Sequence, residues 1–222
     1  MKELFEGIYF NGKNIFTKNL LPKQKVYGEK LIIENKIEYR EWNPFRSKYC
    51  AALQKGLKTN IFKKDLTILY LGSAEGTTVS HVSDIVGNNG IIFCVDLSNI
   101  AMQKLNNLAE KRENIFPILS DANQIQNYSE IIEKESIDVL FQDISQRNQV
   151  EIFLKNSVFL KKNCFGALSL KTKSISQDNA KKTLEIEKNK LEQKFDIKQI
   201  ISLEPFEKEH YLILVRKKGA TI

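Results

Sequence analysis

From residue 66 onward the sequence alternates short apolar runs with amphipathic ones, and this rhythm limits the possible folds more than any other feature. Leu66-Thr67-Ile68-Leu69-Tyr70-Leu71-Gly72 reads as a buried strand ending in glycine, and TTVSHVSDIVG after it has helical spacing. The pattern then repeats through IIFCVDL, NIAMQKLNNLAEKREN, IFPIL, a short helix, ESIDVLFQD, RNQVEIFLKNSVFLKK, CFGALSLK and DNAKKTLEIEKNKLEQKF. Strands joined through helices lie parallel in one sheet, and right-handed crossovers put helices on both faces. FDIKQIISLE and HYLILVRK follow one another without a helix between them, which predicts a closing antiparallel pair.

The first 45 or so residues have a different texture and read as β. GIYF and NIFTK flank Asn11-Gly12, a dipeptide suited to the positive φ of a hairpin turn. KVYGEKLIIE and KIEYREW alternate around Glu34-Asn35, and Pro44 closes the region. From Arg46, with Tyr49, Leu53 and Leu57 four residues apart, the pattern becomes helical. The expected architecture is therefore α/β: a small β-rich N-terminal domain over residues 1–50 and a Rossmann-like doubly wound domain over 51–222.

Composition narrows the chemistry. Three cysteines without CxxC spacing and two histidines leave no Cys-rich or His-rich metal site and suit a reducing cytoplasm. No apolar run approaches the ~20 residues of a membrane-spanning helix, and MKELFEGIYF lacks the apolar stretch of a secretory signal. Charge is uneven. Residues 1–64 carry 14 Lys/Arg against 6 Asp/Glu, residues 65–150 carry 5 against 12, and residues 151–222 carry 15 against 9. Basic flanks around an acidic middle suit a polyanion held by the flanks, although a solvated Lys-rich surface has the same composition.

In doubly wound sheets, ligands bind beyond the C-terminal strand ends. The first such turn is Gly72-Ser73-Ala74-Glu75-Gly76-Thr77-Thr78, whose glycines fit neither G-x-G-x-x-G nor a P-loop. Glu75 there would repel a pyrophosphate, whereas a cationic or zwitterionic nucleoside tolerates it. The second strand ends in Asp96, an acid suited to a ribose diol. The third precedes Ser120-Asp121-Ala122, suited to an adenine amino group, and the fourth ends Gln142-Asp143-Ile144-Ser145-Gln146. Each acid alone also suits a helix cap or a solvated turn. Together they form the pattern of an S-adenosylmethionine (SAM) methyltransferase. The fifth strand ends Leu170-Lys171-Thr172-Lys173. A lysine at that edge predicts a Lys171–Asp143 pair that orients a hydroxyl nucleophile, with Lys173 as its rival; the same lysines would also suit a surface loop.

Four longer stretches carry a family resemblance: Val26-Tyr27-Gly28-Glu29-Lys30; Glu38 to Lys48 (EYREWNPFRSK); Gly76 to Gly87 (GTTVSHVSDIVG); and Glu204-Pro205-Phe206-Glu207-Lys208-Glu209-His210. Through them nearly the whole chain resembles the fibrillarin family, RNA 2′-O-methyltransferases of box C/D guide ribonucleoproteins. It looks like the archaeal form, which lacks a Gly/Arg-rich N-terminal tail. The resemblance implies a seven-stranded sheet with one antiparallel strand, SAM as cofactor with no metal, and methylation of rRNA and tRNA riboses. It implies cofactor contacts from Gly72, Thr77, Thr78, Asp96, Leu97, Asp121, Ala122, Asp143, Ile144, Ser145 and Gln146. Matched to the Lys-Asp-Lys-Glu set of related 2′-O-methyltransferases, Lys48, Asp143, Lys171 and His210 would form the catalytic group. The implied partners are a guide RNA paired to the target, a Nop-domain scaffold protein and a kink-turn-binding ribosomal-type protein. Asp96-Leu97 replaces the family's usual Glu-aromatic pair, and Glu75 stands where a small residue is usual. These departures motivate a second reading, an assembly subunit that keeps the fold but binds SAM weakly. A base methyltransferase would want an Asn/Asp-Pro-Pro-aromatic motif or a cysteine at the fourth strand end, and neither is present. Trp42 and Phe45, interleaved with basic residues, suit either RNA contact or core packing.

Overall fold

The computed structural model describes residues 1–176 and 179–219. A five-stranded sheet comes first: β1 (Lys2–Phe5), β2 (Ile8–Phe10), β3 (Ile15–Lys18), β4 (Leu31–Glu34) and β5 (Ile37–Trp42). Its order is β1-β2-β3-β5-β4, and every neighbouring pair is antiparallel. The β2–β3 hairpin forms where Asn-Gly predicts it. Asn11 Oδ1 accepts the amides of Lys13 and Asn14, so the turn is a four-residue loop with Gly12 at φ 95°. Residues 25–30 do not extend β4 as their alternation suggests. Glu29 draws the amides of Val26 and Tyr27 onto its carboxylate and folds the segment into a turn.

The helix α1 (Lys48–Gln54) starts from Ser47, whose hydroxyl accepts the amide of Cys50. The elements that follow are β6 (Thr67–Leu71), α2 (Thr77–Val86), β7 (Ile91–Asp96), α3 (Asn99–Ala109), β8 (Ile115–Leu119), β9 (Ile137–Gln142), α4 (Gln149–Asn156), β10 (Leu160–Lys171), α5 (Thr172–Ile175), α6 (Ala180–Glu192), β11 (Phe195–Ser202) and β12 (His210–Lys217). They build a seven-stranded sheet in the order β11-β12-β10-β9-β6-β7-β8. β12 lies antiparallel between β10 and β11. The predicted doubly wound sheet with a closing antiparallel pair is therefore observed. Two boundaries differ. α4 stops at Asn156, whose amide bonds to Ala122 O and Ile152 O, so Phe159-Leu160-Lys161-Lys162 leave the helix and β10 is longer than the predicted CFGALSLK. Asp178, read as the first residue of the last helix, lies outside the described residues.

Alternation along β10 and β12 puts Ala167, Leu212 and Leu214 on one sheet face, in a core with α1, α2 and α3. Leu168, Leu170, Ile213 and Val215 face the other way, against α4 and α6. The first core continues into the N-terminal sheet through Ile8, Ile15 and Trp42. A buried ionic cluster joins the same two parts. Arg40 of β5 bonds Glu29 at 2.6 Å and Asp84 of α2 at 2.8 Å, and Arg112 holds the second oxygen of Asp84 at 2.7 Å. Among the described residues, no helix is long and apolar enough to cross a membrane.

Candidate active site

Three parallel strands end side by side at the sheet's C-terminal edge: β7 at Asp96, β6 at Leu71 and β9 at Gln142. The crevice beyond them takes its shape from Gly72. Its φ is +78°, and a Cβ there would lie 2.5 Å from the carbonyl oxygen of Asp143. Only glycine lets the two strand ends approach so closely. Gly76, at φ 89°, then starts α2. A cavity of about 330 Å³ opens beside Gly72, lined by Ala74, Asp96, Leu97, Asp121, Ala122, Asp143, Ile144, Ser145 and Gln146 among others. A second, of about 290 Å³, shares Gly72, Ala74 and Asp143 with it and adds Arg46, Lys48, Tyr70, Thr77 and Thr78. The eleven residues assigned to the cofactor thus line two adjoining cavities, with Thr77 and Thr78 in the second.

Asp96 accepts the amides of Ala74 and Ser98, one on each carboxylate oxygen, and so ties the glycine turn to the next one. Each oxygen keeps a further lone pair, enough for a ribose diol. Asn123 was not legible as a site residue. Its side chain donates to Asp121 Oδ1 at 3.2 Å and to Gln146 Oε1 at 3.1 Å, and it accepts from Asn148 at 2.7 Å, which ties together two turns that line the cavity. Glu75 lines the second cavity but not the first. It forms an ion pair with Lys104 on the exposed face of α3. An acid for a diol, an acid for an exocyclic amine and a backbone cradle at Gly72 suit S-adenosylmethionine. Among the described residues, no group of three or more His, Cys, Asp or Glu is placed to hold a metal.

Lys48, Asp143, Lys171 and His210 all lie on the sheet face covered by α1. Asp143 follows β9 with the same parity as Phe141 of that core. Lys171 and His210 are register partners at the ends of β10 and β12, so their side chains stand side by side. The expected Lys171–Asp143 ion pair is not formed. Lys48, the first residue of α1, takes that place at 2.9 Å, with both side chains about one-fifth exposed. Register explains this. Leu168 lies opposite Gln142, so Lys171 sits two residues beyond the level of Asp143, about 6.6 Å along the strand. Among the described residues the Lys171 side chain has no ion pair. Its backbone is fixed by Gln149, which accepts the Lys171 amide and donates to its carbonyl. Thr172 bonds Glu209 O through both its amide and its hydroxyl. β10 stops there, so Lys173 falls in α5, exposed and paired with Glu209, and does not share the parity that made it a rival.

His210 Nδ1 lies 2.8 Å from the carbonyl of Lys208. A carbonyl only accepts, so Nδ1 carries the hydrogen and Nε2 is the ring atom left for other contacts. Burial, followed by nearby Asp143, pushes the Tyr70 hydroxyl well above its ordinary value and keeps it neutral beneath the second cavity. Thr78 donates to Ser47 Oγ, joining the starts of α2 and α1 and thereby placing Lys48. Ser47 carried no motif that would have singled it out.

The Fibrillarin family profile matches residues 1–219. A fibrillarin-like rRNA/tRNA 2′-O-methyltransferase of Thermococcus onnurineus is 44% identical over 97% of this chain and 98% of its own. One of Saccharolobus solfataricus is 43% identical over 99% and 95%. Among solved structures, a fibrillarin pre-rRNA processing protein of Methanococcus jannaschii superposes with a TM-score of 0.92 at 42% identity, over 98% of this chain and 97% of that one. Aeropyrum pernix fibrillarin with natively bound S-adenosyl-L-methionine gives 0.83 at 38% identity, over 91% and 88%. The fibrillarin of a fibrillarin/Nop5p complex gives 0.88 at 37% identity, over 97% and 100%. A SAM-dependent methyltransferase of Aquifex aeolicus, at 13% identity and a TM-score of 0.54, shares the fold alone. By sequence, fold and the shape of its strand-end crevice, this chain belongs to the fibrillarin family.

Proposed function

We propose that the protein is the catalytic subunit of a box C/D ribonucleoprotein and transfers the methyl group of SAM to ribose 2′-hydroxyls of rRNA and tRNA. The observation that carries this reading is the gathering of Lys48, Asp143, Lys171 and His210 on one sheet face, around an aspartate that lines both cavities. Asp96 and Asp121 are placed to hold the ribose and adenine of the cofactor. When bound, SAM supplies an electrophilic methyl group. The remaining work is done by the chain. Lys48 fixes the Asp143 carboxylate. Lys171, which has no ion pair among the described residues and stands two residues further along the same edge, orients the 2′-hydroxyl and stabilises the charge that develops on its oxygen as the proton passes to solvent. In-line displacement then depends mainly on holding oxygen, carbon and sulfur in position.

The guide RNA, paired with the target, selects the nucleotide. The other partners are a Nop-domain scaffold protein and a kink-turn-binding ribosomal-type protein, and the setting is the cytoplasm. A fibrillarin 37% identical to this chain was solved as a complex with Nop5p, which supports the scaffold assignment. The test is reconstitution with both proteins and a guide RNA, followed by mapping of 2′-O-methylation. Methylation should appear at the guided nucleotide and move when the guide is changed. Product without a guide would place target choice in this chain, and no product would remove the catalytic assignment.

A further inference from the structure

Trp42 and Phe45 part company in the structure. Trp42 is fully buried, stacked on His81 at 4.9 Å and on Tyr49 at 5.9 Å, and belongs to the core. Phe45, three residues on, is 64% exposed. It is nonetheless held firmly. Its amide donates to Asn43 Oδ1 at 2.8 Å, and Arg46 N closes the turn on Asn43 O at 3.0 Å. Its ring meets Phe206 edge to face, with centroids 5.1 Å apart. Phe206 lies in the segment between β11 and β12, which ends at Glu209, the residue that receives both bonds from Thr172. The pair therefore ties the segment that leads to Lys48 to the one that leads to His210. On one side Phe45 is followed by Arg46 and Lys48, both lining the second cavity. On the other, the Phe206 segment runs into His210, the register partner of Lys171.

Resting on the methyltransferase reading above, we propose that Phe45, braced by Phe206, is a contact for A-form RNA and packs in the shallow minor groove of the guide–target duplex beside the methylated ribose. Three properties point to that occupant. First, a ribose 2′-hydroxyl lies in the minor groove, which in A-form RNA is wide and shallow and read mainly by shape. A projecting apolar ring fits against the sugar edges there, where a flat surface would not. Second, two cations near the ring, one beside it in sequence and one two residues past Phe206, are available to phosphates, although acids also lie in the Phe206 segment. Arg46 rests over the Tyr27 ring, and Arg46 and Lys208 have no ion pair among the described residues. The Phe206 segment contains Glu204, Glu207 and Glu209; Glu209 is held by Lys173, and Glu207 lies 3.9 Å from His210 Nδ1. Third, a protein docked on Phe45 would cover the approach to Lys48, through which the ribose must enter.

The test replaces Phe45 with photoreactive p-benzoylphenylalanine and irradiates the complex reconstituted with scaffold protein, kink-turn protein, guide RNA and labelled target. Crosslinking to the target or guide within a few nucleotides of the methylated position is expected. Crosslinking to the scaffold protein, or none in a complex that still methylates, overturns the proposal. In parallel, Phe45→Ala should raise the target KM about 10-fold, while the single-turnover rate at saturating target and the SAM affinity hold, because the contact is present before and during transfer. Phe45→Trp should restore KM. A loss confined to the saturating rate, or no change in KM, also refutes the contact. A complex that crosslinks RNA at Phe45 but forms no 2′-O-methyl product would instead defeat the activity and leave the contact standing.

Discussion

Lys171 and Lys48 reach Asp143 by separate routes, and the difference assigns them separate work. Lys48 is spent on the aspartate, whereas among the described residues Lys171 is held through its backbone, by Gln149 and by pairing with His210, and its side chain has no ion pair. A cation in that condition is free to meet a hydroxyl. Lys171→Ala should therefore lower single-turnover methylation by about 10² to 10⁴, the usual contribution of one positioned acid–base group, with SAM binding unchanged. Lys173→Ala should remain active, since that side chain is 70% exposed on α5. Equal losses in the two variants would show that the structure separates them wrongly. Asp96→Ala should weaken SAM binding in calorimetry by about 10-fold or more, because a charged acceptor to two hydroxyls is lost at roughly 1.5–3 kcal/mol per bond. Part of that loss would come from the glycine turn, whose Ala74 amide the same carboxylate holds; unchanged affinity would show that Asp96 does not meet the ribose. The acids at the strand ends were legible because ligand chemistry demands them in that place. The partner of Asp143 was not, because Lys48 lies 95 residues away in sequence and meets it only once α1 has packed over the sheet.

At the scale of elements, the turn between β6 and α2 is built on two glycines that admit no replacement. A methyl group at Gly72 would collide with the Asp143 carbonyl, and at +78° the backbone itself would be strained. Gly72→Ala should cost about 1–3 kcal/mol in urea unfolding and abolish SAM binding, since relief requires β6 and β9 to part at the cavity floor. A variant of normal stability and affinity would mean that the turn has slack the geometry does not show. The alternation of strand and helix was readable because buried parallel strands need continuous apolar runs and their helices need one apolar stripe. Reading failed where local pattern and tertiary demand diverged. Phe159-Leu160-Lys161-Lys162 continues a helical stripe, yet Asn156 ends α4 with buried side-chain bonds to Tyr128 and Ala122 O that no local rule signals. Val26 to Lys30 alternates like a strand, but the Glu29 carboxylate serves as partner to Arg40 and to the segment's own amides.

Across the whole molecule, the two sheets share one core and one buried ionic cluster, so they should unfold together. His81 sits at that junction. Thr17 gives its only hydrogen to Asp84, so a neutral His81 donates from Nδ1 to Thr17 Oγ1 and accepts at Nε2 from the Tyr27 hydroxyl, whose hydrogen Glu41 O also attracts. Burial, aided by Arg40 and Arg112, holds this ring well below the usual histidine range. Above pH about 6.5 the ring is neutral in both the folded and the unfolded chain, and its contribution to stability is complete. As pH falls through that value, the unfolded chain takes up a proton that the folded chain refuses. Stability should then decline by up to about 1.4 kcal/mol per pH unit until the buried ring is also protonated. Urea unfolding of wild type at pH 7.5 and 5.5 should show the decline, and His81→Gln, though less stable, should lose that part of the slope; an unaltered slope would assign the proton elsewhere. The placement of β12 has a consequence for how the protein is made. Residues 210–217 fill a slot between β10 and β11, both of which leave the ribosome earlier. Until that segment emerges, β10 presents an unpaired apolar edge, the kind of surface that templates aggregation, and Lys171 lacks the neighbour that sets its place. Synthesis interrupted just short of residue 210 would therefore leave a chain with most of its cofactor crevice and no finished catalytic edge, a natural substrate for chaperones and proteases rather than a partly active enzyme.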